Sequence, residues 1–311
     1  PPPPPAVAPR AAPPGAGTGG AGGKPLPEGM EGLPAVLDGK YTDLVFLGGG
    51  NFGKAFRARS LMDDAHYALK MIPCATPEEL DAVKREAKIL LPLVHDNVVR
   101  YFGSFLHTDS RGVQHYCMVM ELCDGDDVSS MIRKARDSRC RLNDGLIGLW
   151  VQQIADALRY LHDKGIIHRD LKGDNVLLRR LVAKVADFGL ATVSAATHGA
   201  AGAFAYESPE QAAGAVYDGK TDVWSLGCML TECVTLRYVT ERVAPGTVFA
   251  MDHAAVAAAV SETAAIHPAL GALAGRLLHP DPRMRPNSQQ VADEMTAQLP
   301  ALRARAGAGP P

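Results

Sequence analysis

The chain has 311 residues, 47% of them hydrophobic and 21% charged, enough for a domain with a substantial core. A net charge of −2 gives no electrostatic footprint for nucleic acid or an anionic membrane, and no uninterrupted apolar run reaches the length of a membrane span. Six cysteines (Cys74, Cys117, Cys123, Cys140, Cys228, Cys233) show no CxxC pairing and no histidine at zinc-ligand spacing, which favours reduced thiols in a cytoplasmic or nuclear protein.

Residues 1–36 are dominated by proline, glycine and alanine and predict a disordered tail. Its opening run of prolines would suit an SH3 or WW partner as an extended left-handed helix. Tyr41–Leu47 then reads as a strand that turns through Gly48-Gly49-Gly50-Asn51-Phe52-Gly53 into a second strand containing Phe56 and Ala58. Glycines at 48, 50 and 53 let backbone N–H groups approach phosphate oxygens, with Phe52 capping them at the tip. Gly48–Lys54 also fits GxxxxGK of a P-loop. However, Ala55 stands where that motif needs Ser or Thr, and a strand pattern follows where a helix should begin.

Pro77–Leu91 carries Leu80, Val83, Ala87 and Leu90 at helical spacing behind Pro77-Glu78-Glu79. Leu146–Lys164 repeats the pattern with Ile147, Trp150, Val151, Ile154, Leu158 and Leu161, a buried helix. The sharpest signal follows it: His168-Arg169-Asp170-Leu171-Lys172-Gly173-Asp174-Asn175, then two short apolar strands, then Asp187-Phe188-Gly189. Two strands joined by a turn would bring Asp170, Asn175 and Asp187 to one mouth. There a carboxylate could take a proton from an alcohol, and two hard oxygen ligands could hold Mg²⁺ beside phosphates.

These motifs, in this order and at this spacing, resemble the catalytic loop, metal-binding turn and glycine-rich loop of the eukaryotic protein kinases, from about Tyr41 to about Leu299. The resemblance implies an α+β bilobal fold over residues 37–299. It has a small antiparallel β-sheet N-lobe with one helix (about 41–122), a larger, mainly helical C-lobe (about 124–299), and a disordered tail at 300–311. It implies ATP and Mg²⁺ as cofactors and protein substrates as partners, with no role for nucleic acid or membrane. In Tyr67-Ala68-Leu69-Lys70 it places Lys70 on the phosphates, with Glu86 as its partner and Glu79 a weaker candidate. His95–Phe102 becomes the entry to the fourth strand and Tyr116–Glu121 the fifth, with Met120 as gatekeeper. The nucleotide set is Leu47, Gly48, Gly49, Gly50, Asn51, Phe52, Gly53, Ala55, Ala68, Lys70, Met120, Glu121, Cys123, Asp127 (a ribose contact) and Leu177. Asp170 is the base, Asn175 and Asp187 the metal ligands, and Lys172, two residues after the base, marks the serine/threonine type.

The same resemblance pairs Glu210 of Ser208-Pro209-Glu210 with Arg285, and gives Asp222 the backbone N–H groups of the catalytic loop to accept. Within the superfamily, Gly173-Asp174-Asn175 looks like MAP kinase kinase kinases, whereas Ser208-Pro209-Glu210 and Trp224–Cys228 through Thr235-Leu236-Arg237 look more like NIMA-related kinases. Ser194 and Thr197 are the candidate phosphorylation sites of the activation segment. Two departures favour the alternative of a pseudokinase acting by contact. Ala55 replaces the usual adenine-covering valine, and Ala203 replaces a threonine whose hydroxyl would bridge the base and Lys172.

Overall fold

The computed structural model describes residues 33–50, 53–187 and 203–307. Asn51, Phe52, Phe188, Gly189, Ser194, Thr197 and the opening prolines, Pro1–Pro5, lie outside them. The N-terminal half builds five strands: β1 (Tyr41–Gly50), β2 (Gly53–Ser60), β3 (His66–Cys74), β4 (Tyr101–Thr108) and β5 (Gln114–Glu121). They form one antiparallel sheet in the order β1-β2-β3-β5-β4.

Period-two alternation sorts the side chains. Phe56, Leu69, Met71, Cys117 and Val119 pack on one face with the fully buried Leu37. Ile72, Tyr116 and Met118 point to the other face, where helix α1 (Pro77–Leu90) covers them with Val83 and Ala87. Lys70 lies on that second face, and across the strands Ala55 pairs with Lys70 and Ala68 with Met120. The α1 helix starts where a reciprocal capping box closes: Thr76 accepts from the Glu79 N–H, and Glu79 reaches back to the cap backbone. Glu79 is thereby engaged as a cap and is not the partner of Lys70.

The C-lobe contains α2 (Val128–Asp137), α3 (Asp144–His162), the strands β6 (Val176–Arg179) and β7 (Val182–Val185), and the one-turn α4 (Pro209–Ala212). It continues with α5 (Lys220–Thr235), α6 (His253–Ile266), α7 (Pro268–Leu277) and α8 (Ser288–Gly307). The apolar stripe of α3 meets Leu226 and Leu230 of α5, Leu273 of α7 and Met295 of α8 in one core. The lobe runs past the expected limit at 299, because α8 continues to Gly307 and buries Leu302 against Gly148 of α3. No helix among the described residues is long and apolar enough to cross a membrane.

Candidate active site

The β6–β7 hairpin is tied to the segment joining the lobes. The Gly125 N–H donates to Leu178 O at 3.0 Å, the Leu178 N–H to Asp126 O at 2.8 Å, and the Val99 N–H to Val185 O at 2.9 Å. Because Asn175 precedes β6 and Asp187 follows β7, the hairpin presents both at its open end, as the turn-and-strand pattern predicts.

The catalytic loop is held from beneath. Asp222, buried in α5, accepts the backbone N–H groups of His168 and Arg169, both at 2.9 Å, and bonds His162 Nε2 at 2.8 Å. Burial pushes its carboxyl up, but these bonds and the neighbouring imidazoles hold it below the ordinary carboxylate value. Arg169 has a positive φ of 70°, the kink that turns the loop outward.

On this base Lys172 Nζ donates to both oxygens of Asp170, at 2.9 and 2.8 Å. Asn175 Nδ2 donates to the Asp170 backbone carbonyl at 2.7 Å and to its carboxylate at 3.0 Å. The Asp170–Lys172 contact is thus direct and closes without a bridging hydroxyl.

The two lobes meet at Lys70, whose Nζ donates to Asp187 Oδ1 at 2.6 Å. The expected Lys70–Glu86 ion pair is not formed. Both Glu86 oxygens are buried without a hydrogen-bond partner among the described residues. Burial pushes the Glu86 carboxyl up to about 7, Asp187 adding to the shift and Lys70 opposing it. The ammonium is satisfied instead by Asp187, which is 41% exposed and so loses less hydration in pairing than the buried Glu86 would.

The donor set suits Mg²⁺. Asn175 turns its N–H₂ toward Asp170, which leaves its carbonyl oxygen for a cation, and the partly exposed Asp187 bonds Lys70 through one of its two oxygens. No group of three His, Cys, Asp or Glu residues forms a cage among the described residues, and two oxygen ligands are the sparse protein share Mg²⁺ takes beside phosphates. At the glycine loop, a Cβ on Gly48 would meet nothing within 4 Å, which leaves room for a ligand. Gly53 is required by the fold itself, with φ +123° and a Cβ that would stand 2.3 Å from Met71 O.

At the hinge, two side chains act otherwise than expected. Asp127, expected on a ribose, caps α2, accepting the Ser130 N–H at 2.6 Å and the Ser130 hydroxyl at 2.8 Å, so a ribose hydroxyl would share an engaged carboxylate. Glu121, expected to act through its backbone, also uses its side chain, taking Arg179 of β6 at 2.6 Å and Lys184 of β7 at 2.9 Å. Sequence reasoning missed this tie between the lobes; the basic residues spaced through Arg179-Arg180 and Lys184 were its only signal. Leu177 pairs with Asp127 across the hinge. Cys123 is not a nucleophile at neutral pH, since burial and then the Glu121 charge push its thiol up to about 12. The Glu210–Arg285 pair forms as expected, two-pronged at 2.7 and 2.9 Å, with the guanidinium over the Trp224 ring.

A lysine and two carboxylates from distant parts of the chain, converging between a five-stranded lobe and a helical one, define a protein kinase architecture. Residues 41–295 match the protein kinase domain family, and the chain belongs to it. It is 36% identical over 210 residues to the human serine/threonine-protein kinase Nek5, covering 65% of this chain and 29% of that protein. It is 34% identical to the mouse serine/threonine-protein kinase Nek1 (65% of this chain, 17% of that protein). It is 33% identical to the human mitogen-activated protein kinase kinase kinase 5 (62% and 14%). Both expected subfamilies are therefore represented among its relatives, and the chain spans less than a third of the length of each.

Proposed function

We propose that this domain is a serine/threonine protein kinase that transfers the γ-phosphoryl group of ATP to hydroxyls of protein substrates. The observation that carries the reading is the pair of contact groups Lys70–Asp187 and Lys172–Asp170–Asn175, joined where the Ala186 N–H donates to Asn175 O at 2.9 Å. An acceptor hydroxyl beside Asp170 gives its proton to that carboxylate while its oxygen bonds the γ-phosphorus. The bond from that phosphorus to the bridging oxygen breaks and ADP leaves. Lys172, already on Asp170, is placed to share its charge with the transferring group, and Lys70 to bind the phosphates behind it. Mg²⁺, held by Asn175 and Asp187, neutralises phosphate charge when bound.

Nothing in this geometry favours the contact-only alternative: the charged residues of the scheme are present, with Lys70 on Asp187 and Lys172 on Asp170. We place the protein in the cytoplasm, or the nucleus, on the strength of its six free thiols. An SH3 or WW partner for the N-terminal prolines is a separate proposal, tested by capture of such a domain on a peptide of that segment.

The experiment for the catalytic proposal is phosphoamino-acid analysis of casein incubated with the protein, Mg²⁺ and γ-labelled ATP. Phosphoserine and phosphothreonine are expected. Phosphotyrosine alone, or no transfer by folded and ATP-binding protein, would overturn it.

A further inference from the structure

An open groove of about 450 Å³ lies along the hinge and shares only Glu121 with the nucleotide set. Its walls come from both lobes: His66 and Tyr67 of β3 and Phe102 of β4 on one side, Arg179 and Lys184 of the β6–β7 hairpin on the other. Two features of this surface go unused by the fold. Phe102 is 50% exposed and Val94 64% exposed, and the Phe102 ring stands edge-on to Tyr67 at 5.4 Å, giving a rigid apolar shelf. Beside the shelf the Arg179 side chain is 53% exposed and engages one nitrogen, on Glu121.

The charges of the lining can be counted. Arg100, Arg179 and Lys184 stand against Asp96 and Glu121, three cations to two anions, a net of +1. Glu121 is closed to a ligand, since its oxygens already take Arg179, Lys184 and the Arg100 N–H. His95 faces Asp156 at 3.3 Å, and Asp63 is turned onto the Tyr67 hydroxyl at 2.6 Å. A basic segment would meet the exposed remainder of the Arg179 guanidinium head on, and a purely apolar one would cover it without adding a partner to its one bond with Glu121.

We propose that this groove is a docking site for a segment of a partner protein in which an aromatic or large aliphatic side chain is flanked by carboxylates. The apolar side chain rests on Phe102 and Val94, and the carboxylates meet Arg179 and His66. The segment touches both lobes and lies apart from the position beside Asp170 where an acceptor hydroxyl would react. The proposal concerns binding alone and does not depend on phosphoryl transfer.

The test is fluorescence anisotropy on the full chain with a labelled ten-residue peptide whose core is Asp-Glu-Phe-Asp, compared with cores of Lys-Arg-Phe-Lys and Asp-Glu-Ala-Asp. Saturable binding of the acidic aromatic peptide is expected, weaker binding of the other two, and loss of affinity as salt rises. Phe102→Ser and Arg179→Glu should each weaken it by about tenfold or more, and Arg179→Glu should improve binding of the basic peptide. Val94→Asp serves as the second shelf variant should Phe102→Ser fail to fold, and thermal unfolding verifies each. No binding of the acidic peptide, equal binding of acidic and basic cores, or affinity unmoved by the shelf and Arg179 variants would overturn the proposal.

Discussion

The ammonium of Lys70 lies 2.6 Å from Asp187, although the two are 117 positions apart in the chain. The contact joins the β-sheet lobe to the end of the β6–β7 hairpin, and it leaves Glu86 buried beside it with neither oxygen bonded among the described residues.

Glu86 makes stability depend on pH. Its folded value, raised from 4.5 to about 7, means that the native state holds a proton which the unfolded state has released. Stability contributed by the protonated carboxyl is full below the unfolded value and is lost as pH rises through the folded one. Glu86→Gln should therefore be more stable than the natural protein at pH 8, by at most about 3 kcal/mol, and the gap should close toward pH 4.5. Urea unfolding of both proteins across this range measures it. A constant difference would contradict the assignment.

Lys172 is in contact with both oxygens of Asp170. If its charge acts on the transferring phosphoryl group, Lys172→Met should lower kcat on the order of 10²-fold while leaving the KM for ATP nearly unchanged. Steady-state kinetics separates the two effects.

Arg285 is fully buried in its two-pronged pair with Glu210. Glu210→Gln leaves that guanidinium uncompensated and should destabilise the C-lobe by about 3–5 kcal/mol, read as a fall in the urea midpoint. Arg285→Lys should rescue little, because an ammonium cannot reproduce the paired geometry.

Leu302 sits at 3% exposure beyond the limit that the sequence suggests for the domain. Leu302→Ala should cost about 2–5 kcal/mol, and a chain ended at Leu299 should lose at least as much. Thermal unfolding of the two variants tests whether the end of α8 belongs to the core.

Much of the site was legible because short motifs fix local geometry. Asp170, Lys172 and Asn175 fall within one loop, and Asp187 follows a hairpin whose strands show as apolar runs. The partner of Lys70 was not legible, since it depends on how helix α1 and the end of the β6–β7 hairpin are placed around the ammonium, a property of packing. The side-chain role of Glu121 was hidden for a similar reason: a hinge residue is read through its backbone, while its cations come from two different strands. The end of α8 escaped because its alanine- and arginine-rich final turns carry no helical apolar period, and a single leucine decides the packing. Asp127 shows the same limit at small scale, its neighbour Ser130 deciding that it caps a helix.

The central claim is that Asp170 receives the acceptor's proton at a cleft where ATP is bound, and the most direct measurement is γ-phosphoryl transfer by the natural protein and by Asp170→Asn, with ATP affinity measured in parallel. The account predicts transfer falling by about 10²-fold or more in the variant at nearly unchanged ATP affinity. Equal transfer by both proteins would contradict it.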